Sequence, residues 1–231
     1  MPSAWTTIPR MQSTGAYSAD RASALSGVPR STIHYWSRTE LLAPSVSAER
    51  VKLWSYADLM GLRIIYWLRQ RKTDVAGAEV PRTSMRAIRH ALGKLRALDE
   101  PLWHPEQASI WVNGDGEVHV RGPAGPQTLR GQTLLPDSIN LIAPFDTREG
   151  LRGPDLAMPR PELRIVPGRL SGSPHVIHTR LETRALFALG RDGLGVAAIK
   201  TLYPQVSAKQ IGEALDLECQ LEENLRVRDA A

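Results

Sequence analysis

Apolar positions recur three and four residues apart in several separate windows, and each window closes on a turn signal. The first window runs from about Ala19 to Leu25, with Ala22 and Leu25 on one face, Ser18 as cap and Ser26-Gly27 as the terminating turn. A second helix, PRSTIHYWSRTELL, starts at Pro29, whose missing N–H suits a first helical turn. Its core-facing positions are Ile33, Trp36 and Leu41, which leaves Arg30, Ser31, Thr32, His34 and Tyr35 nearer the outside. After Leu42, turn residues lead into a short alternation at Val51, Leu53 and Ser55, the pattern of a small hairpin or wing. Helical spacing resumes at Ser55 or Tyr56 with the strongly apolar DLMGLRIIYWLRQRK, expected to be the central core element of this part. A Gly/Ala break near 76–78 precedes PRTSMRAIRHALGKLRAL, which places Met85, Ile88, Leu92 and Leu95 on one face.

The period changes beyond residue 101. Ile110 and Val112 alternate into Asn113-Gly114-Asp115-Gly116, and Val118 and Val120 alternate out of it, predicting a hairpin. Its turn is a backbone device rather than a phosphate loop, because no Lys-Ser/Thr follows and no helix opens from it. Stretches such as Gly153-Pro154 and Met158-Pro159-Arg160-Pro161 read as a linker. From Leu163 a short strand leads into three helical stretches, RALFALGRDG, VAAIKTLYP and SAKQIGEALDLECQLEENL. Ser207 with Gln210 is a capping-box pattern for the last of them. The organisation predicted is a flexible arm over 1–15, a DNA-binding unit over 16–98, a β-hairpin and Pro/Gly-rich linker over 99–162, and a small helical domain over 163–231. The fold class is mainly α with small β elements.

Charge sharpens this division. The chain carries +5 overall, but residues 1–100 hold 15 Lys/Arg against 8 Asp/Glu and the remainder 14 against 16. Basic charge concentrated in one part favours a polyanion through counterion release; simple solubility explains it equally well. The last helix has no basic residue between Ile211 and Leu225, which reads as a solvated acidic face or as a docking strip for a basic partner. No apolar run reaches the ~20 residues of a membrane span and the first residues lack the apolar core of a signal peptide, so a cytoplasmic protein is expected. The single cysteine, Cys219, lies in an apolar helical pattern and is expected to be a buried structural thiol.

Helix, glycine turn, second helix, hairpin and apolar helix occur in the order of a winged helix-turn-helix. YSADRASALSGVPRSTIHYWSRTELL followed by KLWSYADLMGLRIIYWLRQR resembles the DNA-binding domain of MerR-type regulators over about residues 16–98. By that resemblance Arg30, Ser31, Thr32 and His34 face bases or nearby phosphates, Tyr35 contacts the backbone and Trp36 packs inside. Arg38 belongs to the same DNA-binding set. The family has arginine where this chain has His34, glycine where it has Glu40, and a wing arginine where it has Leu53, for which Arg50 and Lys52 are the substitutes.

The stretch from Ile165 to Leu225 resembles a second family, the small helical antitoxin domain catalogued as domain of unknown function 433. Its pattern appears here as Gly172-Ser173-Pro174 with Val176 and Ile177, Thr179-Arg180, Gly190 or Gly193, Tyr203-Pro204, and Ile211 to Ala214; His178 stands where a glycine is expected. Such domains are similar to those of VapB-type antitoxins, which are encoded with a PIN-like ribonuclease toxin. The resemblance implies a type II antitoxin: one end captures the toxin and the other represses the operon as a homodimer on a palindromic operator. Candidate dimer surfaces are the helix 81–98 and the hairpin near Trp111. Arg180 and Arg184 are candidates for occluding a toxin active site, and the acidic last helix, with Glu218 and Glu222, for a clamp. A chain cut after residue 162 is then expected to keep DNA binding and lose toxin capture. A stand-alone ligand-responsive MerR-like regulator is the alternative.

No cofactor is implied and an enzyme is the least favoured class. The sequence lacks a nucleophile elbow, a Walker loop and zinc spacing, and His175 and His178 have no Cys or acidic partner at ligand distance along the chain.

Overall fold

The computed structural model describes residues 15–69 and 150–226, together with 72–73, 79–80, 84–86, 88–89, 109–112, 118–122, 125–128, 138–140 and 143–146. Among the described residues six helices are bounded: α1 (Ala19–Ser26), α2 (Arg30–Arg38), α3 (Tyr56–Arg69), α4 (Thr183–Arg191), α5 (Val196–Leu202) and α6 (Ala208–Arg226). The strands are short. Ser109–Val112 and Val118–Gly122 pair in antiparallel register, Ile110 opposite Val120 and Val112 opposite Val118, as the alternation predicts. Gly125–Thr128 and Ser138–Asn140 extend this pair to a four-stranded antiparallel sheet. Most of the helix expected over 81–98 and the whole arm up to residue 14 lie outside the described residues; within the former, Ile88 is buried and Met85 packs on the core.

The caps form where the side chains allow them. Ser18 accepts the Arg21 N–H at 3.2 Å and Gly27 ends α1 in the left-handed region at φ 73°. Pro29 is the N-cap of α2. Ser207 and Gln210 bond reciprocally at the start of α6, at 2.8 and 3.1 Å.

At the two positions where the resemblances imply glycine, the backbone is left-handed although neither residue is glycine. Glu40 has φ 52° and His178 φ 60°. Glu40 sits in a Schellman turn: the Leu41 N–H reaches the Trp36 carbonyl at 3.0 Å and the Glu40 N–H that of Ser37 at 3.3 Å. A side chain in that region costs about 1–2 kcal/mol, partly offset by the greater unfolded freedom of glycine. Glu40→Gly and His178→Gly are each expected to raise stability by about 0.5–1 kcal/mol in denaturant titration.

One hydrophobic core joins the N- and C-terminal parts. Leu25, Ile33, Trp54, Leu59 and Ile65 belong to the same buried cluster as Val176, Leu186, Ile199, Ile211, Leu217 and Leu221. The stretch read as linker contributes Leu156 to it, and Ala157 packs against it. α6 packs against α4, α5 and α1. Cross-links are polar as well. The Tyr17 hydroxyl donates to the Gly172 carbonyl at 2.8 Å, that of Tyr56 to Leu156 at 3.0 Å, and the Asn224 amide to Ala24 at 2.9 Å. Burial raises both tyrosine pKa values.

Arg63 is the most connected of these groups. Fully buried in α3, its guanidinium donates to the Leu25 and Ser26 carbonyls ending α1 at 2.8 and 3.2 Å, and to Ala143 and Pro154 at 2.9 and 2.5 Å. Burial pushes its pKa down to about 9, so it stays charged at neutral pH.

Cys219 is exposed, contrary to the expectation of a buried thiol. The inward face of α6 is set by Ile211, Ala214, Leu217 and Leu221, and Cys219 falls on the other side. Several acids of α6 are paired with basic neighbours. Asp216 pairs with Arg160 at 2.7 Å, Glu223 with Arg152 at 2.9 Å and Glu222 with Arg191 at 3.3 Å, stitching the helix to its neighbours.

Candidate nucleic-acid interface

α1, the Gly27 turn and α2 form the helix-turn-helix, and the chain then folds back as the wing. Ser47 and Leu53 form an antiparallel bridge, with Leu53 N–H to Ser47 O at 2.8 Å, leaving 48–52 as the wing loop. Trp54 bridges to Tyr17 in the same way, anchoring the wing to the residue before the Ser18 cap of α1. The buried Asp58 carboxylate fixes the other side: one oxygen accepts the Ser45 N–H and hydroxyl at 2.8 and 2.7 Å and the Ser55 N–H at 2.8 Å. Ser55 returns the bond to the Asp58 N–H at 3.1 Å, completing a reciprocal cap on α3.

α2 divides as its spacing predicts. Ile33 and Trp36 are buried; Arg30, Ser31, Tyr35 and Arg38 are exposed, and Thr32 and His34 half-buried. Tyr35 is 54% exposed and Val51 at the wing 63%, so large side chains stand outward on both elements. Arg30 pairs with Asp20 of α1 at 2.9 Å. Lys52 reaches across from the wing to the Ser37 hydroxyl at 2.9 Å, and Arg50 is exposed on the wing loop. His34 stands edge-on to Trp54, centroids 6.3 Å apart at 80°. Partial burial, then Arg30 and Lys52, hold its imidazole below the ordinary pKa, which favours the neutral ring. Arg30, Arg38 and Lys52 are thereby brought around one histidine. Anions fit such a surface.

The residues assigned to toxin contact are placed differently from one another. Arg180 and Arg184 are exposed, the latter paired with Glu182 at 2.7 Å. Glu222 is half-buried between Arg191 and Arg226. Glu218 cannot serve as a surface contact: it is 4% exposed, takes both terminal nitrogens of Arg21 at 2.7 Å and accepts the Thr183 hydroxyl. A carboxylate so fully engaged is a joint between α1, α4 and α6. Sequence spacing carries no sign of it, since Arg21 lies 197 residues away.

Arg184, Glu218 and Glu222 also line a cavity of about 430 Å³ between the two parts, with Tyr17, Arg21 and Leu170. Two of its lining residues, Leu170 and Ser171, have positive φ, as does Gly172 next in the chain. Only glycine fits at 172, where a Cβ would collide with the Tyr17 hydroxyl. Among the described residues no cluster of His, Cys, Asp or Glu is arranged to hold a metal ion, and no helix is long and apolar enough to cross a membrane.

Residues 17–80 match the model of the MerR HTH family regulatory protein. A second match, to the protein of unknown function DUF433, spans residues 164–216. The chain thus carries a region similar to the MerR-family helix-turn-helix and, further along, a region similar to DUF433. Each match covers less than half of the chain. No curated protein and no solved structure matches it. The MerR-type match points to a DNA-binding regulator, a class that is typically non-enzymatic; DUF433 itself carries no assigned activity.

Proposed function

We propose that the chain is an operator-binding repressor of its own operon and the antitoxin of a type II toxin–antitoxin pair, cytoplasmic and dimeric. The observation that carries the DNA part is the exposed cationic face of α2, with Arg30, Tyr35 and Arg38 outward and Lys52 and Arg50 alongside on the wing. In this reading α2 enters the major groove, Arg30, Ser31, Thr32 and His34 approach base edges or phosphates, and Tyr35, Arg38 and the wing hold the register. A homodimer sets two such helices about 34 Å apart on a palindrome. The toxin part reads the DUF433-type match over residues 164–216, a family without assigned function, as an antitoxin domain, and takes the exposed Arg180 and Arg184 as the side chains that would enter an acidic ribonuclease site. The cavity between the two parts favours a second reading, a regulator answering to a small ligand.

Arg30→Ala should weaken binding to the promoter of the chain's own operon by about 1–3 kcal/mol and relax specificity if the side chain reads a base. Unchanged binding in a fluorescence titration would mean that Arg30 takes no part. Purification of the tagged chain from its native host distinguishes the two functional readings: a stoichiometric PIN-like ribonuclease supports the antitoxin, and its absence the ligand-responsive regulator.

A further inference from the structure

Arg30 stands at a position that its own helix disfavours. It is the first residue of α2, whose N-cap Pro29 makes no side-chain cap and whose first turn holds no acidic residue. A cation there faces the positive end of the helix dipole, so the local sequence works against it. The compensation comes from outside the helix. Asp20, in the first turn of α1, brings its Oδ1 to 2.9 Å from Nη1 of Arg30 while both side chains remain about half exposed. The guanidinium fork has five N–H donors, and a contact through one terminal nitrogen leaves others free to turn toward a groove. His34, four residues on and therefore on the same face, feels both charges.

An exposed carboxylate on a surface meant for DNA is costly, because it repels phosphates in every sequence. As a plain surface pair it is worth little to stability. What it does supply is orientation. A free arginine samples many rotamers and grips phosphates indiscriminately, whereas one tethered at Nη1 offers its remaining donors in a restricted direction. We propose that Asp20 is a positioning residue for sequence readout: it holds Arg30 for bidentate recognition of a guanine edge and lowers affinity for non-cognate DNA. This rests on the reading of α2 as the recognition helix. The simpler role, complementing the dipole of α1, gives opposite behaviour, since loss of Asp20 would then strengthen binding to all DNA alike.

The test is a titration of the full chain with its promoter fragment and with a scrambled fragment of equal length, comparing Asp20→Asn, Arg30→Ala and the double variant. Thermal melts verify that each is folded. Asp20→Asn should bind the promoter about tenfold more weakly, in the range of one bidentate base contact, while binding the scrambled fragment more tightly. Adding Asp20→Asn to Arg30→Ala should cost nothing further on the promoter. Equal tightening on both fragments, or additive effects in the double variant, would overturn the positioning role. If the unmodified chain binds neither fragment at low salt, the recognition-helix reading itself fails and the proposal falls with it.

Discussion

A chain cut after residue 162 should lose its cooperative thermal transition and, with it, promoter binding. The cut removes Leu163, Ile165, Val176, Leu186, Ile199, Val206, Ile211, Leu217 and Leu221 from the single core. Each buried aliphatic side chain is worth about 1.5–3 kcal/mol, against a total stability of about 5–15 kcal/mol for a typical domain. The loss reaches the helix-turn-helix directly. α1 would surrender its packing on α6, Arg21 would lose Glu218, and residues 16 and 17 would lose their bonds to Ser171 and Gly172. Sequence patterning alone suggests the opposite outcome, a DNA-binding unit that survives the cut. Circular dichroism decides between them: a sharp transition with promoter affinity intact in the truncated chain would show that the shared core is dispensable.

Arg63→Met should be the most damaging single substitution in the helix-turn-helix region, at about 3 kcal/mol or more. Methionine fills similar space but leaves the carbonyls of Leu25, Ser26, Ala143 and Pro154 without their donor, and each buried acceptor so abandoned costs about 1–3 kcal/mol. Removal of the buried cation's own desolvation cost offsets part of this. Arg63→Lys tests the geometry separately, because an ammonium keeps the charge but cannot span four carbonyls in a planar fork. Urea titration should rank the chains wild type, Lys, Met in falling stability. Equal midpoints for all three would show that the carbonyls find other donors.

Local features of the fold were legible in the sequence. Ser18, Gly27, Pro29, the Ser55–Asp58 start and the Ser207–Gln210 box act within a few residues, and so the helices they bound could be placed from spacing. The partition of α2 into Ile33 and Trp36 inside, Arg30 and Tyr35 outside, follows from the 3.6-residue period. What spacing cannot show is partnership across the chain. Arg63 reads as an ordinary basic residue in an apolar helix because its acceptors lie 37 to 91 residues away. Glu218 reads as one more acid in an acidic run, yet it is the carboxylate that Arg21 draws inside, and Cys219 beside it is turned outward by the same helical phase. The glycine positions taken by Glu40 and His178 were visible as departures from family patterns; that the backbone would retain the left-handed turn was not, since neighbouring hydrogen bonds and packing impose it.

The exposed face of α2 as a DNA-binding surface is tested most directly by measuring affinity for the promoter fragment across a range of salt concentrations. A phosphate-gripping cationic surface gives a linear fall of log affinity with log salt, with a slope of about −0.9 per phosphate neutralised. Arg38→Ala should then make that slope shallower by about one. No complex at the lowest salt, or an affinity indifferent to salt, would contradict the account.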